Sequence, residues 1–169
     1  MHELLIKMIG DRYTEDFYEW LLSIGYFECP AAKSHHGNYR GGLYDHSLMV
    51  AKELQNFTEK LGLTWNDPTS PYVIGLLHDI CKTDDYKYNF NDTSEIKWDP
   101  EHSGHGMKSI ALLAGHIDLT EEEKYCIIYH MGAFTDKDDW KYFNKAIKKY
   151  PNVLYTHMAD MIASHVKGV

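Results

Sequence analysis

Six residues, His46, the adjacent pair His78-Asp79, His105, His130 and Asp160, restrict the fold of this chain more than any other feature. The intervals from one histidine to the next, and from the last to Asp160, are 32, 27, 25 and 30 residues. Each interval is the length of a helix plus a connection. Each of the four histidines and Asp160 can therefore sit on its own helix, with Asp79 beside His78, and point into a shared centre. Taken singly, His105 or His130 reads as a structural or surface histidine, and Asp160 as a cap or an ion-pair partner. Taken in order, the six read as the ligand set of a buried metal site.

The apolar periodicity agrees with a helical scaffold. Residues 11–27 predict a helix with Phe17, Trp20, Leu21 and Ile24 on one stripe. Residues 31–42 read as a loop ending in Gly41-Gly42, and a helix starting near Tyr44 carries His46, Val50, Leu54, Phe57 and Leu61 along one face. Ser70-Pro71 predicts a helix start, a serine cap followed by proline where its missing N–H does no harm. That helix, residues 71–81, is short and apolar and contains His78-Asp79. Residues 83–103 hold Tyr86, Tyr88, Phe90, Ile96 and Trp98 around the turn signal Asn91-Asp92, which predicts a small hairpin or aromatic lid. Further helices are expected over 104–117, over 120–130 with a Thr120/Glu123 capping box, after Asp139, and over 152–166 beyond Pro151. The class is all-α, with an irregular or hairpin insertion near 84–100. No repeat or linker interrupts it, so residues 1–169 read as one domain, with helices within 1–28 packing on a metal-binding core at 31–167.

His46 lies in line with Val50 and Leu54, His130 with Cys126 and Ile127, and Asp160 with Val153 and Thr156. Carboxylates on apolar faces are costly to bury alone and need a shared counter-charge. A divalent cation supplies it. Mixed imidazole and carboxylate donors suit Mn, Fe, Co or Ni, with Zn also possible, better than Mg or Ca. Six donors exceed what one ion with an open position needs. The expectation is two ions about 3.5–4 Å apart, bridged by a carboxylate and a water or hydroxide.

Charge narrows the partners. With 25 acidic and 17 basic residues the net charge is −8, which argues against coating long nucleic acid. A small anion drawn to metal ions in a pocket remains compatible. Cys29, Cys81 and Cys126 are odd in number and show no CxxC pair, so they read as reduced thiols of a cytoplasmic protein. No apolar run approaches the roughly 18 residues of a membrane span, and the start of the chain does not read as a signal peptide.

Five segments carry a family resemblance: 41–47 (GGLYDHS), 77–82 (LHDICK), Gly104-His105-Gly106, 129–132 (YHMG) and His157-Met158-Ala159-Asp160. Together they resemble the HD-domain metal-dependent phosphohydrolase superfamily over about residues 30–165, with Cys81 where the HDIGK variant has glycine. With Ala31-Ala32-Lys33 and His35-His36 upstream, the pattern is similar to the HD domain of certain bacterial 3′–5′ exoribonucleases. It is closer still to small stand-alone HD hydrolases of Firmicutes and their prophages. The resemblance implies an HD-domain helical bundle in which His46, His78, Asp79 and Asp160 hold one ion. Asp79 bridges to a second, completed by His105 and His130.

It also implies a metal-dependent phosphohydrolase that cleaves a small nucleotide or related phosphoester with a metal-activated hydroxide. Asp79 and Lys82 are the expected catalytic residues. Lys82 reaches toward the phosphate, and Lys33, His36 and Arg40 are candidates for the pocket mouth. The aromatic segment at 86–98 is a candidate for stacking a nucleobase. Asp136, Asp138 and Asp139 read as a solvated loop, and His102, His116 and His165 as surface histidines. Two other functions use the same residues: a di-iron oxygenase of the myo-inositol oxygenase type, and a non-catalytic nucleotide sensor. The oligomeric state is not legible.

Overall fold

The segment SPYVIGLL has no polar face, and a helix that is apolar all round needs neighbours on every side. The computed structural model describes residues 1–34, 37–89, 92–98, 104–134 and 137–169, with the backbone alone over 87–98 and at 133. In it, α4 (Ser70–Leu77) is buried at every position except Tyr72. Packed against α4 are α1 (His2–Ile9), α3 (Gly42–Leu61), α7 (Glu121–Ile128) and α9 (Asn152–Met161). The all-α class holds, and one continuous apolar cluster runs from Leu5 and Phe17 through α3 and α4 to Val153 and Ala163.

Between α1 and α3, a 3₁₀ turn over Gly10–Arg12 leads into α2 (Glu15–Ser23). This helix is shorter than the predicted 11–27. The Thr14 side chain accepts from the Phe17 N–H at 3.0 Å and starts it, and a left-handed Gly25 (φ 72°) turns the chain after it. Phe17 and Leu21 are buried, whereas Trp20 stacks on His116, ring centroids 3.9 Å apart. Helix α3 begins two residues before the expected Tyr44. Its last predicted core residue, Leu61, is exposed because the helix has by then run past the apolar cluster.

The start of α4 departs from expectation in an informative way. Thr69, not Ser70, is its N-cap, and no side chain caps it. The Ser70 hydroxyl donates instead to Glu123 at 2.7 Å, and Arg12 and the Thr120 N–H also donate to that carboxylate. A buried carboxylate needs such donors more than a helix end does. Helix α4 ends at Leu77, earlier than the predicted 81. Three-residue turns, Ile80 N–H to Leu77 O and Lys82 N–H to Asp79 O, lead into the short α5 (Lys82–Asp85).

The expected insertion is a two-stranded antiparallel hairpin, β1 (Tyr86–Asn89) and β2 (Asp92–Trp98), pairing Tyr86 with Trp98 and Asn89 with Asp92. Helix α6 (His105–Leu113) packs on α7, which carries the predicted Thr120/Glu123 capping box. Helix α8 (Trp140–Lys149) precedes α9, and α9 continues into a π-helical turn over Ile162–Lys167. No helix among the described residues is long and apolar enough to cross a membrane.

Two glycines set how closely the helices approach. A Cβ on Gly75 would lie 2.3 Å from the Ala51 Cα, so α3 and α4 touch backbone to backbone. A Cβ on Gly106 would lie 2.3 Å from the Ile128 carbonyl oxygen, which holds α6 against the end of α7. Gly75→Ala is expected to destabilise the fold by about 1–3 kcal/mol, since rigid backbone must move apart. Urea unfolding checks it, and an unchanged midpoint would show that α3 and α4 separate freely.

Candidate metal centre

Five elements deliver the six predicted residues to one place. His46 is in the second turn of α3, His105 opens α6, and Asp160 lies in the last turn of α9. His78, Asp79 and His130 fall just beyond the ends of α4 and α7, not within helices as expected. The C-terminal ends of α4, α7 and α9 thus meet at the centre, and helix C-termini carry partial negative charge that favours a cation.

Backbone carbonyls orient the rings. His78 Nδ1 lies 2.9 Å from the Gly75 carbonyl oxygen, and His130 Nδ1 lies 2.7 Å from that of Ile127, both in the preceding helix. His46 Nδ1 lies 2.9 Å from the Val169 carbonyl oxygen. A carbonyl only accepts, so each Nδ1 carries the hydrogen, and in a neutral ring the Nε2 is then a lone pair. Those lone pairs face carboxylates. His46 Nε2 is 3.2 Å from Asp160 Oδ1 and 3.8 Å from Asp79 Oδ2. His78 Nε2 is 3.5 Å from Asp79 Oδ2, and His130 Nε2 is 3.3 Å from Asp79 Oδ1.

Acceptor opposes acceptor, in a buried place. The Nε2 atoms of His78 and His130 have no hydrogen-bond partner and are sealed from water. A divalent cation between them resolves the conflict, so the donor set fits a metal. Among the described residues, three groupings place their donor atoms within 4.8 Å of one another: His46–His78–Asp79, His78–His130–Asp160 and Asp79–Cys81–His105. The first two contain the residues expected around the first ion, with His130 added. The third puts His105 beside Asp79 together with a sulfur, Cys81 Sγ lying 3.3 Å from His105 Nδ1.

The electrostatics match this picture at His78, Asp79, Asp160 and His105, and run against it at His130. Burial pushes His78 down to about 4, neutral and ready to donate a lone pair. Burial would raise the Asp79 carboxyl, but Lys82, His78 and His130 outweigh it and hold it well below the usual range. Asp160 is likewise pulled to about 2, its burial outweighed by the adjoining imidazoles of His46 and His78. Burial lowers His105 as well. His130 moves the other way, because its contact with Asp79 outweighs its burial.

Lys82 is in the centre itself, its Nζ 2.6 Å from Asp79 Oδ2. Both residues line an open pocket of about 390 Å³ with His105, Asp160, Phe134 and His165. Lys33 and Arg40 are exposed and do not line it, and Arg40 pairs with Glu28. His36, His102 and Asp136 lie outside the described residues, as do the side chains of the aromatic segment beyond Tyr86. Tyr86 lines the pocket. Asp138 and Asp139 are exposed as expected, but they lie in a 3₁₀ turn over Lys137–Asp139 that leads into α8, not in an irregular loop.

Sequence reasoning missed three supporting groups. Asp85 is buried, 3.7 Å from His105 Nδ1 and 2.7 Å from Lys108 Nζ. Its only signal is that it follows Asp79 by six residues in a stretch read as irregular. His157 Nδ1 meets the His130 carbonyl oxygen at 2.9 Å and packs where a Gly132 Cβ would stand. His165, read as a surface residue, is exposed but borders the pocket, and its Nδ1 is 2.7 Å from Ser164 Oγ. The π-helical turn puts it there, and no sequence pattern announced that turn. The three cysteines are free, and all are buried.

The sequence profile of the HD domain family matches residues 43–161. The chain belongs to the HD domain family. The match begins at the helix carrying His46 and ends one residue after Asp160, so it encloses every residue of the HD-domain centre. No curated protein and no solved structure matches the chain.

A pH dependence follows from His78. Its folded pKa lies below the free value of about 6.5, so the unfolded chain binds the proton more readily. This contribution to stability is complete above about pH 6.5 and is lost as pH falls toward 4. With a chelator present, the stability of the natural protein relative to His78→Gln is expected to fall across that window. His130 titrates in the opposite sense in both proteins and largely cancels in the difference. Denaturant midpoints at several pH values measure it, and a flat difference would mean that His78 is not held neutral by burial.

Proposed function

We propose that this HD-domain protein is a metal-dependent phosphohydrolase acting on a small nucleotide or related phosphoester, with two divalent transition-metal ions. The observation that carries the reading is the confrontation of buried imidazole nitrogens with Asp79 and Asp160, which a divalent cation makes stable. His46, His78, Asp79 and Asp160 hold one ion in this reading, and Asp79 shares a second with His105 and His130. When bound, the ions supply a nucleophilic water at neutral pH and charge compensation for the phosphoryl oxygens.

The chain's own residues do the rest. Asp79 stays ionised and sits between both sets of donors. The Nδ1 bonds to the Gly75, Ile127 and Val169 carbonyls keep the three rings from turning. Lys82 remains protonated, since the pull of Asp79 outweighs its burial, and it gives the pocket a fixed positive charge for phosphate. An anionic substrate is thereby drawn to a cationic spot on an acidic protein. Oxygenase chemistry would use the same donors, but a protonated lysine on the wall of an open pocket favours a phosphoryl group.

Asp79→Ala is expected to bring metal content close to zero by elemental analysis, because both groups of donors lose their common carboxylate. A folded variant that still holds two ions would contradict the shared role.

The function itself is tested by a panel of mono-, di-, tri- and cyclic nucleotides with Mn²⁺, Fe²⁺, Co²⁺ and Ni²⁺, reading free phosphate with and without oxygen. Phosphate release without oxygen is expected. Lys82→Met should lower turnover about tenfold or more with metal content unchanged, as loss of one transition-state cation does. Oxygen consumption without phosphate release would reverse the assignment, and undiminished Lys82→Met activity would remove the lysine from the mechanism.

A further inference from the structure

Three side chains of the metal pocket, His105, Met131 and Phe134, also line a second cavity of about 420 Å³. The two spaces share a wall, and a group bonded to a phosphate in the first can extend into the second. The second cavity opens where the start of α6, the end of α7 and the start of α8 meet. Its surface is aromatic and thioether: Phe134, Tyr129, Tyr142, Met107 and Met131. Phe134, Met107 and Tyr142 are 62%, 60% and 44% exposed, an unusual concentration of large apolar side chains at one surface opening. Lys141 and Lys145 place their ammonium groups 4.8 and 5.9 Å from the Tyr142 ring centre, which restrains that ring at the rim.

Among the described residues one carboxylate lines this cavity, that of Asp139. Asp139 stands at the N-cap of α8, yet its side chain accepts no hydrogen bond from that helix. A carboxylate only accepts, so it favours a ligand edge that presents N–H groups. Flat aromatic and sulfur-bearing walls accept either face of a planar ring. The volume falls within the roughly 300–1,000 Å³ common for small-ligand pockets.

We propose that this cavity between α6, α7 and α8 is a nucleobase subsite. Phe134 and Tyr142 stack the ring there, and Asp139 selects bases carrying an amino group, guanine above all, whose N1–H and 2-amino group offer two adjacent donors. The inference deepens the nucleotide reading of the metal pocket and rests on it for the phosphate attached to the base. Base binding itself needs no metal. The subsite differs from the hairpin segment at 86–98 to which the sequence pointed for stacking; of that segment's aromatic side chains Tyr86 is the one described, and it borders the metal pocket.

The test uses nucleosides, which lack phosphate, with the full chain in the presence of a chelator. Calorimetric titration is expected to show saturable binding of guanosine and about tenfold weaker binding of inosine, which lacks only the 2-amino group. Asp139→Asn should erase that preference, and Tyr142→Ala should weaken both nucleosides about tenfold. Both positions are exposed, so circular dichroism should show an unchanged fold. Equal binding of the two nucleosides, or binding indifferent to Tyr142→Ala, overturns the subsite. So does the absence of nucleoside binding in a protein that still releases phosphate from simple phosphoesters, a result that leaves the phosphohydrolase reading standing. Nucleoside binding as expected without any phosphate release supports the subsite and removes the hydrolase.

Discussion

The contact between the Asp79 carboxylate and the imidazole nitrogens around it is the constraint on which the rest of the structure depends. One oxygen faces His46, His78 and the Lys82 ammonium, and the other faces His130. A carboxylate at 4% exposure is far too costly to bury without compensation, and lone pairs facing it make matters worse. Lys82 offsets part of this charge. The remaining mismatch is the chemical reason a cation belongs there, and it links the fold to the family's metal chemistry.

Such a centre must be held open against its own repulsion, and the helical scaffold does this with backbone. Carbonyls at the ends of α4 and α7 fix the rings of His78 and His130 through the same three-residue step, Gly75 to His78 and Ile127 to His130. Glycines at 75 and 106 let α3 meet α4, and α6 meet α7, closely enough for the side chains to converge. Away from the centre, Glu123 gathers Arg12, Ser70 and the Thr120 N–H, joining the N-terminal turn to the starts of α4 and α7. Half-satisfied buried charges destabilise and fully satisfied ones specify position. With Glu123 fully partnered at the starts of these helices, their far ends deliver His78, Asp79 and His130 in register.

Much of this was legible in the residues. The apolar stripe through His46, Val50 and Leu54 proved buried, Thr120 and Glu123 formed their capping box, and the turn-rich aromatic segment formed a hairpin. The failures share a cause. Ser70 left its predicted capping role because Glu123, distant in sequence, competed for its hydroxyl. Helix α4 stopped before His78 because a three-residue turn carries the chain toward the pocket. Asp85 and His165 reach the site through a short helix and a π-helical turn that no periodicity marks. Lys33 and Arg40, near His46 in sequence, are exposed and do not line the pocket, and Arg40 pairs with Glu28 instead.

What the sequence by itself determined was the class of fold and the chemistry of the centre. Apolar periodicity and donor types are local properties, and buried carboxylates among imidazoles admit few explanations. Which donor lies beside which, and how the second cavity adjoins the metal pocket, was decided by tertiary structure alone. The meeting of Cys81 with His105, and of α6 with α7 and α8 around Phe134 and Tyr142, depends on helix-to-helix distances of the order of a single methyl group. Packing sets those distances through contacts between residues far apart along the chain, and no local pattern encodes them.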